Sequence, residues 1–183
     1  MKHRQVVVWA IQKGGHPMNR WLIPSMVVLF GVLMLPPLVR AGNLAEFKGG
    51  IGVIPVVGGG ALNFVRGVQG GLNPWVINKF DARVEENGDI RAEGTGLVLA
   101  GGDNIGTPDS ITTIAAQLFC RTGPTSFSTH SSRIHPLAAD GNFKFTDTLT
   151  PVPPFPCTDP ALLIRANNST GVWIAAGIPK KVD

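Results

Sequence analysis

The stretch Trp75–Ala100, WVINKFDARVEENGDIRAEGTGLVLA, decides the fold. From Val76 to Val84 the even positions are Val76, Asn78, Phe80, Ala82 and Val84, while Lys79, Asp81, Arg83 and Glu85 carry charge. Beyond Asn87-Gly88 the even positions are again apolar or small (Ile90, Ala92, Gly94, Gly96, Val98), with Asp89, Arg91 and Glu93 between them. Successive side chains of a strand point to opposite faces, so two neighbouring runs of period two predict two half-buried strands.

The register follows from the same parity. Directly opposed residues share a face, so a two-residue loop at Asn87-Gly88 would turn one strand inside out. A three-residue loop Glu86-Asn87-Gly88, with Gly88 left-handed, keeps the apolar face whole. Val84 then faces Ile90, Ala82 faces Ala92 and Phe80 faces Gly94. Arg83 opposes Arg91, an unfavourable pair that the diagonals Arg83–Glu93 and Glu85–Arg91 partly offset. Further along, Trp75 meets Leu99 and Ile77 meets Leu97 on the nominally outer face. This predicts an apolar outer patch of Trp75, Ile77, Leu97 and Leu99, with Trp173 as a further member. Either the Gly-rich Phe47–Val68 segment covers it, or it is a binding or self-association surface.

Upstream, MNRWLIPSMVVLFGVLMLPPLVRAGN from Met18 has the parts of a secretory signal peptide. Arg20 begins it, Leu22–Leu35 is the apolar run, Pro36-Pro37 stops the helix, and Val39-Arg40-Ala41 offers a cleavage site. The run is shorter than the ~20 apolar residues a spanning helix needs, so membrane contact is expected only through an uncleaved leader. Residues 1–41 therefore read as an upstream extension plus leader, and 42–183 as one β domain beginning at Gly42. The formal charge of +4 comes with the leader, because 11 Lys and Arg face 12 Asp and Glu after it. Nucleic acid is set aside as a partner on that ground.

The remaining chain reads as short strands. Phe47–Val57, with Pro55, suits an edge strand. Ile111–Arg121 places Ile114, Ala116, Leu118 and Cys120 on one face. A second hairpin is expected from Ile134–Ala139 and Phe143–Asp147, with Leu137, Ala139, Phe143 and Phe145 inward. Leu162–Ala166 and Val172–Ala176 close the set. With 23 Gly and 15 Pro, about seven or eight strands predict an all-β fold, an antiparallel sandwich or small barrel. The absence of Tyr, and of Trp between the two cysteines, excludes a true immunoglobulin domain.

Cys120 and Cys157 are the only cysteines, and in an exported chain they are expected to form a disulfide. Closing a loop of about 38 residues contributes roughly 4 kcal/mol in the chain-entropy model. His130 and His135 lie an odd number apart, so in an extended segment they face opposite ways and share no zinc site. A secreted hydrolase using the His130–Asp140 region is the enzymatic alternative, although no Gly-x-Ser-x-Gly context surrounds any serine. Asp103, Asn104 and Asp109 match no EF-hand spacing and read as a turn. Asn167–Thr170 contains glycosylation sequons, which matter only in a glycosylating host. No catalytic residue, metal or cofactor is assigned.

The segments FKGGIGVIPV (Phe47–Val56), NFVRGV (Asn63–Val68), GLVLAGGDNIGT (Gly96–Thr107) and LLIRA with GVWIAAG (Leu162–Gly177) resemble exported bacterial proteins of unassigned function. The resemblance spans most of the chain after the leader, and it implies export and one β-rich domain without an activity. The sequence thus points to a secreted or periplasmic, non-catalytic protein with a binding, structural or self-assembly role. Its expected partners are its own copies or an extracellular ligand.

Overall fold

The computed structural model describes residues 42–56, 63–167 and 170–180, all within one unit, Val39–Asp183. The expected leader and signal helix, and two residues of the sequons, lie outside the described residues. Thirteen strands are described: β1 (Asn43–Gly52), β2 (Phe64–Val65), β3 (Val68–Gln69), β4 (Trp75–Val76), β5 (Lys79–Glu85), β6 (Asp89–Thr95), β7 (Val98–Leu99), β8 (Thr113–Arg121), β9 (Phe127–Ser131), β10 (His135–Pro136), β11 (Phe143–Thr148), β12 (Ala161–Ala166) and β13 (Trp173–Pro179). No helix occurs among the described residues.

The main hairpin forms as alternation dictates. Val84 pairs with Ile90, Ala82 with Ala92, Phe80 with Gly94 and Arg83 with Arg91. Gly88 takes φ +88° and donates to Glu85 O at 2.9 Å, which closes the three-residue loop. Ion pairs on the outer face join directly opposed residues of neighbouring strands rather than the expected diagonals, and Lys48 also meets Glu46 of its own strand at 3.5 Å. Lys48 meets Asp81 at 3.3 Å and Lys144 meets Glu93 at 2.7 Å. These four residues lie in one row across β1, β5, β6 and β11.

The residues expected on the outer patch are not exposed, and Val53, within the segment expected as their cover, accepts from Trp75 N at 2.8 Å. Trp75 still pairs with Leu99 as expected. Yet Trp75, Leu97, Leu99 and Trp173 are buried in the core, and Ile77 is half-buried against it. The reason lies at Gly96, which takes φ +65° and donates to Asn142 Oδ1, while Leu97 N donates to Gly141 O at 3.0 Å. The ladder is interrupted there and resumes in the same register, with Trp75 opposite Leu99, and the odd positions now point inward.

Nine strands form one antiparallel sheet in the order β10–β8–β12–β13–β1–β5–β6–β11, with β9 pairing β8 on the edge that β10 also uses. Strand twist curls this sheet into a half-barrel. Its two edges touch where Ser131 and Thr150 exchange backbone hydrogen bonds of 3.0 and 2.9 Å. Two expectations are corrected here. β1 is not an edge strand, because it lies between β13 and β5, and Pro55 falls beyond its end. The second hairpin is also not a hairpin: β11 pairs with β6, and β10 pairs with β8. Leu137, Phe143 and Phe145 are buried as expected, whereas Ala139 is exposed.

Both faces of β8 and β12 are buried, so this part of the sheet carries a second layer. The ribbon β2–β3 packs on the core next to them, at β13. Val65 and Val68 pack on the core, Gly71 N donates to Trp173 O at 2.9 Å, and Trp173 Nε1 reaches Asn63 O. The disulfide Cys120–Cys157 fixes the segment that leads into β12, with Cα atoms 5.0 Å apart, a normal separation. Its presence fits a non-cytoplasmic compartment. Among the described residues no helix is long and apolar enough to cross a membrane.

Candidate functional site: an arginine pair at the ribbon turn

Val65 pairs with Val68, so Arg66-Gly67 is the two-residue loop of the ribbon. Both residues have positive φ, +52° and +79°, as a type I′ turn requires. Gly67 meets that demand freely, and a Cβ there would stand in open space. Arg66 does not: the left-handed region costs a non-glycine residue roughly 1–2 kcal/mol. Asn or Gly would be cheaper, so the turn places a long cation where local conformation disfavours one.

That cation reaches a second arginine. The Arg66 Cζ lies 4.1 Å from the centroid of the Phe127 ring, and the Arg121 Cζ lies 5.0 Å from it. Arg121 and Phe127 are cross-strand partners on β8 and β9, so the sheet itself sets this contact. Both guanidiniums converge on one carboxylate oxygen, Asp159 Oδ2. Arg66 Nη2 is 2.6 Å away, Arg121 Nε is 3.1 Å away, and Arg121 Nη2 also donates to it. The Arg121 pairing holds the Asp159 carboxyl below its ordinary range, burial opposes this, and Arg66 adds to it. Asp159 has φ +48°, and Arg121 N–H donates to the neighbouring Thr158 O at 2.8 Å. The disulfide two residues before Asp159 anchors this loop. Two cations share one anion, leaving a net positive charge.

A hollow of about 290 Å³ opens beside the cluster, lined by Arg66, Gly67, Phe119, Thr125, Phe127 and Thr129. A larger open hollow of about 820 Å³ lies over the row of Lys48, Asp81, Glu93 and Lys144. Its charges pair with one another at the surface, which makes it a solvated ion-pair face.

The sequence-predicted chemistry is dispersed. His130 is buried, with Nδ1 2.7 Å from Pro151 O and Nε2 2.8 Å from Ser128 Oγ. A carbonyl can only accept, so Nδ1 carries the proton. Asp140 sits in an exposed turn and accepts from Asn142, so His130 and Asp140 are not brought together. Asn104 donates to Asp109 at 2.7 Å within a turn closed by Thr107, and Asp103 is exposed. Among the described residues no group of three His, Cys, Asp or Glu gathers for a metal ion.

His135 joins an arrangement that sequence reasoning missed. Asp147 is buried at the meeting of the sheet edges, its side chain 3% exposed. It accepts from Arg133 N at 2.8 Å, Arg133 Nε at 2.9 Å, Thr148 N at 2.9 Å and His135 Nε2 at 2.9 Å. Burial works to raise its pKa, but the Arg133 side chain and backbone, Thr148 N–H and His135 override burial and hold the carboxyl well below its usual range. His135 stacks on Phe145 at 4.0 Å, which fixes its ring. Comparison with protein-family profiles, with curated proteins and with solved structures finds no match to this chain.

Proposed function

We propose that the chain is an exported, non-catalytic β protein that binds a small ligand in the hollow at the ribbon turn. One observation carries the reading: a strained arginine is held beside a second arginine and an aromatic ring, with one carboxylate between two cations. Polar groups gathered at a concave surface are what small-ligand sites use for orientation. Export is part of the proposal. The segment from Arg20 through Ala41 has the order of a cleavable leader, and the disulfide suits a secreted or periplasmic location. In this reading the half-barrel works as a small barrel, its last gap spanned by the Ser131–Thr150 bridge and the Asp147 carboxylate.

Two measurements test it. N-terminal sequencing of exported material should begin at or near Gly42, and a start before Leu22 would contradict cleavage. A fragment screen on ¹⁵N-labelled protein should gather amide shifts at Gly67, Thr125 and Thr129. Hits confined to other surfaces, or no hits, would remove the site.

A hydrolase remains the second reading on one specific contact. Ser128 Oγ meets His130 Nε2 while Nδ1 is tied to a carbonyl, which is how a base is oriented towards a serine nucleophile. Ser128 lines neither hollow. A fluorophosphonate probe separates the two: covalent labelling of Ser128 establishes the enzyme, and an unlabelled protein leaves the binding role.

A further inference from the structure

We infer that the hollow at the ribbon turn takes the oxyanion of its ligand, a carboxylate, sulfate or phosphate group, and that Asp159 occupies the place of that group until it binds. The inference rests on the binding role proposed above and names the ligand class. Guanidinium forks present paired N–H donors that match the oxygens of such groups. Arg66 gives only Nη2 to Asp159, so its Nε and Nη1 have no protein acceptor among the described residues. Arg121 gives Nε and Nη2 to the same carboxylate and Nη1 to Pro124 O at 2.8 Å. All three donors that reach Asp159 crowd on Oδ2, so the two cations hold one internal anion and retain a surplus charge.

Arg66 is the cluster residue that lines the hollow, beside Thr125 and Thr129, whose hydroxyls can serve a second oxygen of the ligand. Asp159 is reachable, with 45% of its side chain exposed, so an incoming oxyanion can exchange with it without unfolding the loop. The disulfide and the Thr158 bonds to Arg121 keep the loop seated while the carboxylate swings away. An internal carboxylate of this kind sets an affinity threshold, because the ligand must displace it.

Two substitutions test this without disturbing the backbone. Arg66→Asn creates Asn-Gly, the preferred pair for a type I′ turn, so the ribbon is retained. Asp159→Asn keeps a residue that tolerates positive φ and removes the internal competitor. Acetate, sulfate and phosphate are titrated separately against chloride at constant ionic strength, following the Nε–Hε signals of Arg66 and Arg121 by NMR. At least one should give saturable shifts, and which one does identifies the group. Arg66→Asn should weaken that binding by roughly ten- to a hundredfold, the worth of one or two charge-assisted hydrogen bonds, with thermal stability unchanged or raised. Asp159→Asn should strengthen it by roughly tenfold, as expected when an effective-concentration competitor is lost. Absence of saturation by all three anions, or an Asp159→Asn protein that binds no better than the parent, overturns the inference. Neutral fragments that still shift Thr125 and Thr129 would then leave the hollow as a binding site for uncharged ligands. If neither class binds there, both readings fall.

Discussion

Consider Asp147→Asn. The carboxylate sits where β10 and β11 approach, and its bonds join the two sheet edges there together with the Ser131–Thr150 bridge, the His130–Pro151 contact and the stacking of His135 on Phe145. An amide keeps an acceptor for Thr148 N and for the Arg133 side chain. It places an NH₂ where Oδ2 faced Arg133 N–H and His135 Nε2. The backbone N–H of Arg133 then lacks an acceptor, which costs about 1–3 kcal/mol, and the surviving bonds lose their charge. The Arg133 side chain is 81% exposed, so its arm is worth little. We expect a loss of about 3 kcal/mol in urea unfolding, with the slope unchanged. Amide exchange at Ser131 and Thr150 should accelerate in the variant. The pH dependence has a defined sign. The folded pKa lies below the ordinary 3.8. The contribution is therefore complete above that value and fades as pH falls through the folded pKa. Below pH ~4 the parent should lose stability more steeply than the variant. A loss under about 1 kcal/mol with unchanged exchange would refute the role of Asp147 in joining the edges.

Reduction of Cys120–Cys157 should lower stability by roughly 2–4 kcal/mol, read by denaturant unfolding with and without reductant. Leu97→Ala should cost roughly 2–5 kcal/mol while the elution volume in gel filtration stays unchanged, because Leu97 is a core residue and not an interface one. Gly141→Ala should be destabilising by roughly 2 kcal/mol or more, since φ is +75° and the new Cβ would stand 2.5 Å from Leu97 O. Thermal denaturation followed by circular dichroism checks that value.

Alternation made β5, β6 and their loop legible residue by residue, because every even position within the two strands, from Phe80 to Val84 and from Ile90 to Gly94, keeps one face. It failed at Gly96, where a single left-handed residue reverses parity without altering the pairing. Nothing in a periodic pattern marks that reversal, so Leu97 and Leu99 read as outer. Strand order was not legible either. Phe143 and Phe145 announce a strand, but the rings say nothing of whether it pairs with its neighbour in sequence or with β6. The arginine site was half visible. Val65-Arg66-Gly67-Val68 is a two-residue hairpin signal, and its Arg stands where Asn is usual. Asp159 is 93 residues away from Arg66 and meets it only in the folded chain, on the loop that the disulfide holds. Asp147 and His135 differ in the same way, since their bond exists only once the sheet curls.

The central position of β1 has a bearing on how the chain comes to be folded. Its residues leave the ribosome before those of any other described strand, yet Gly50 pairs with Gly177, in the last described strand. On one side β1 can zip to β5 early, while its other edge stays open until β13 has been made. A nascent chain therefore carries an unsatisfied strand edge while all the strands between β1 and β13 are made, and contacts so distant in sequence form slowly. The delay favours keeping the polypeptide extended until β13 is available, and makes β13 the strand whose arrival joins β1 to β12.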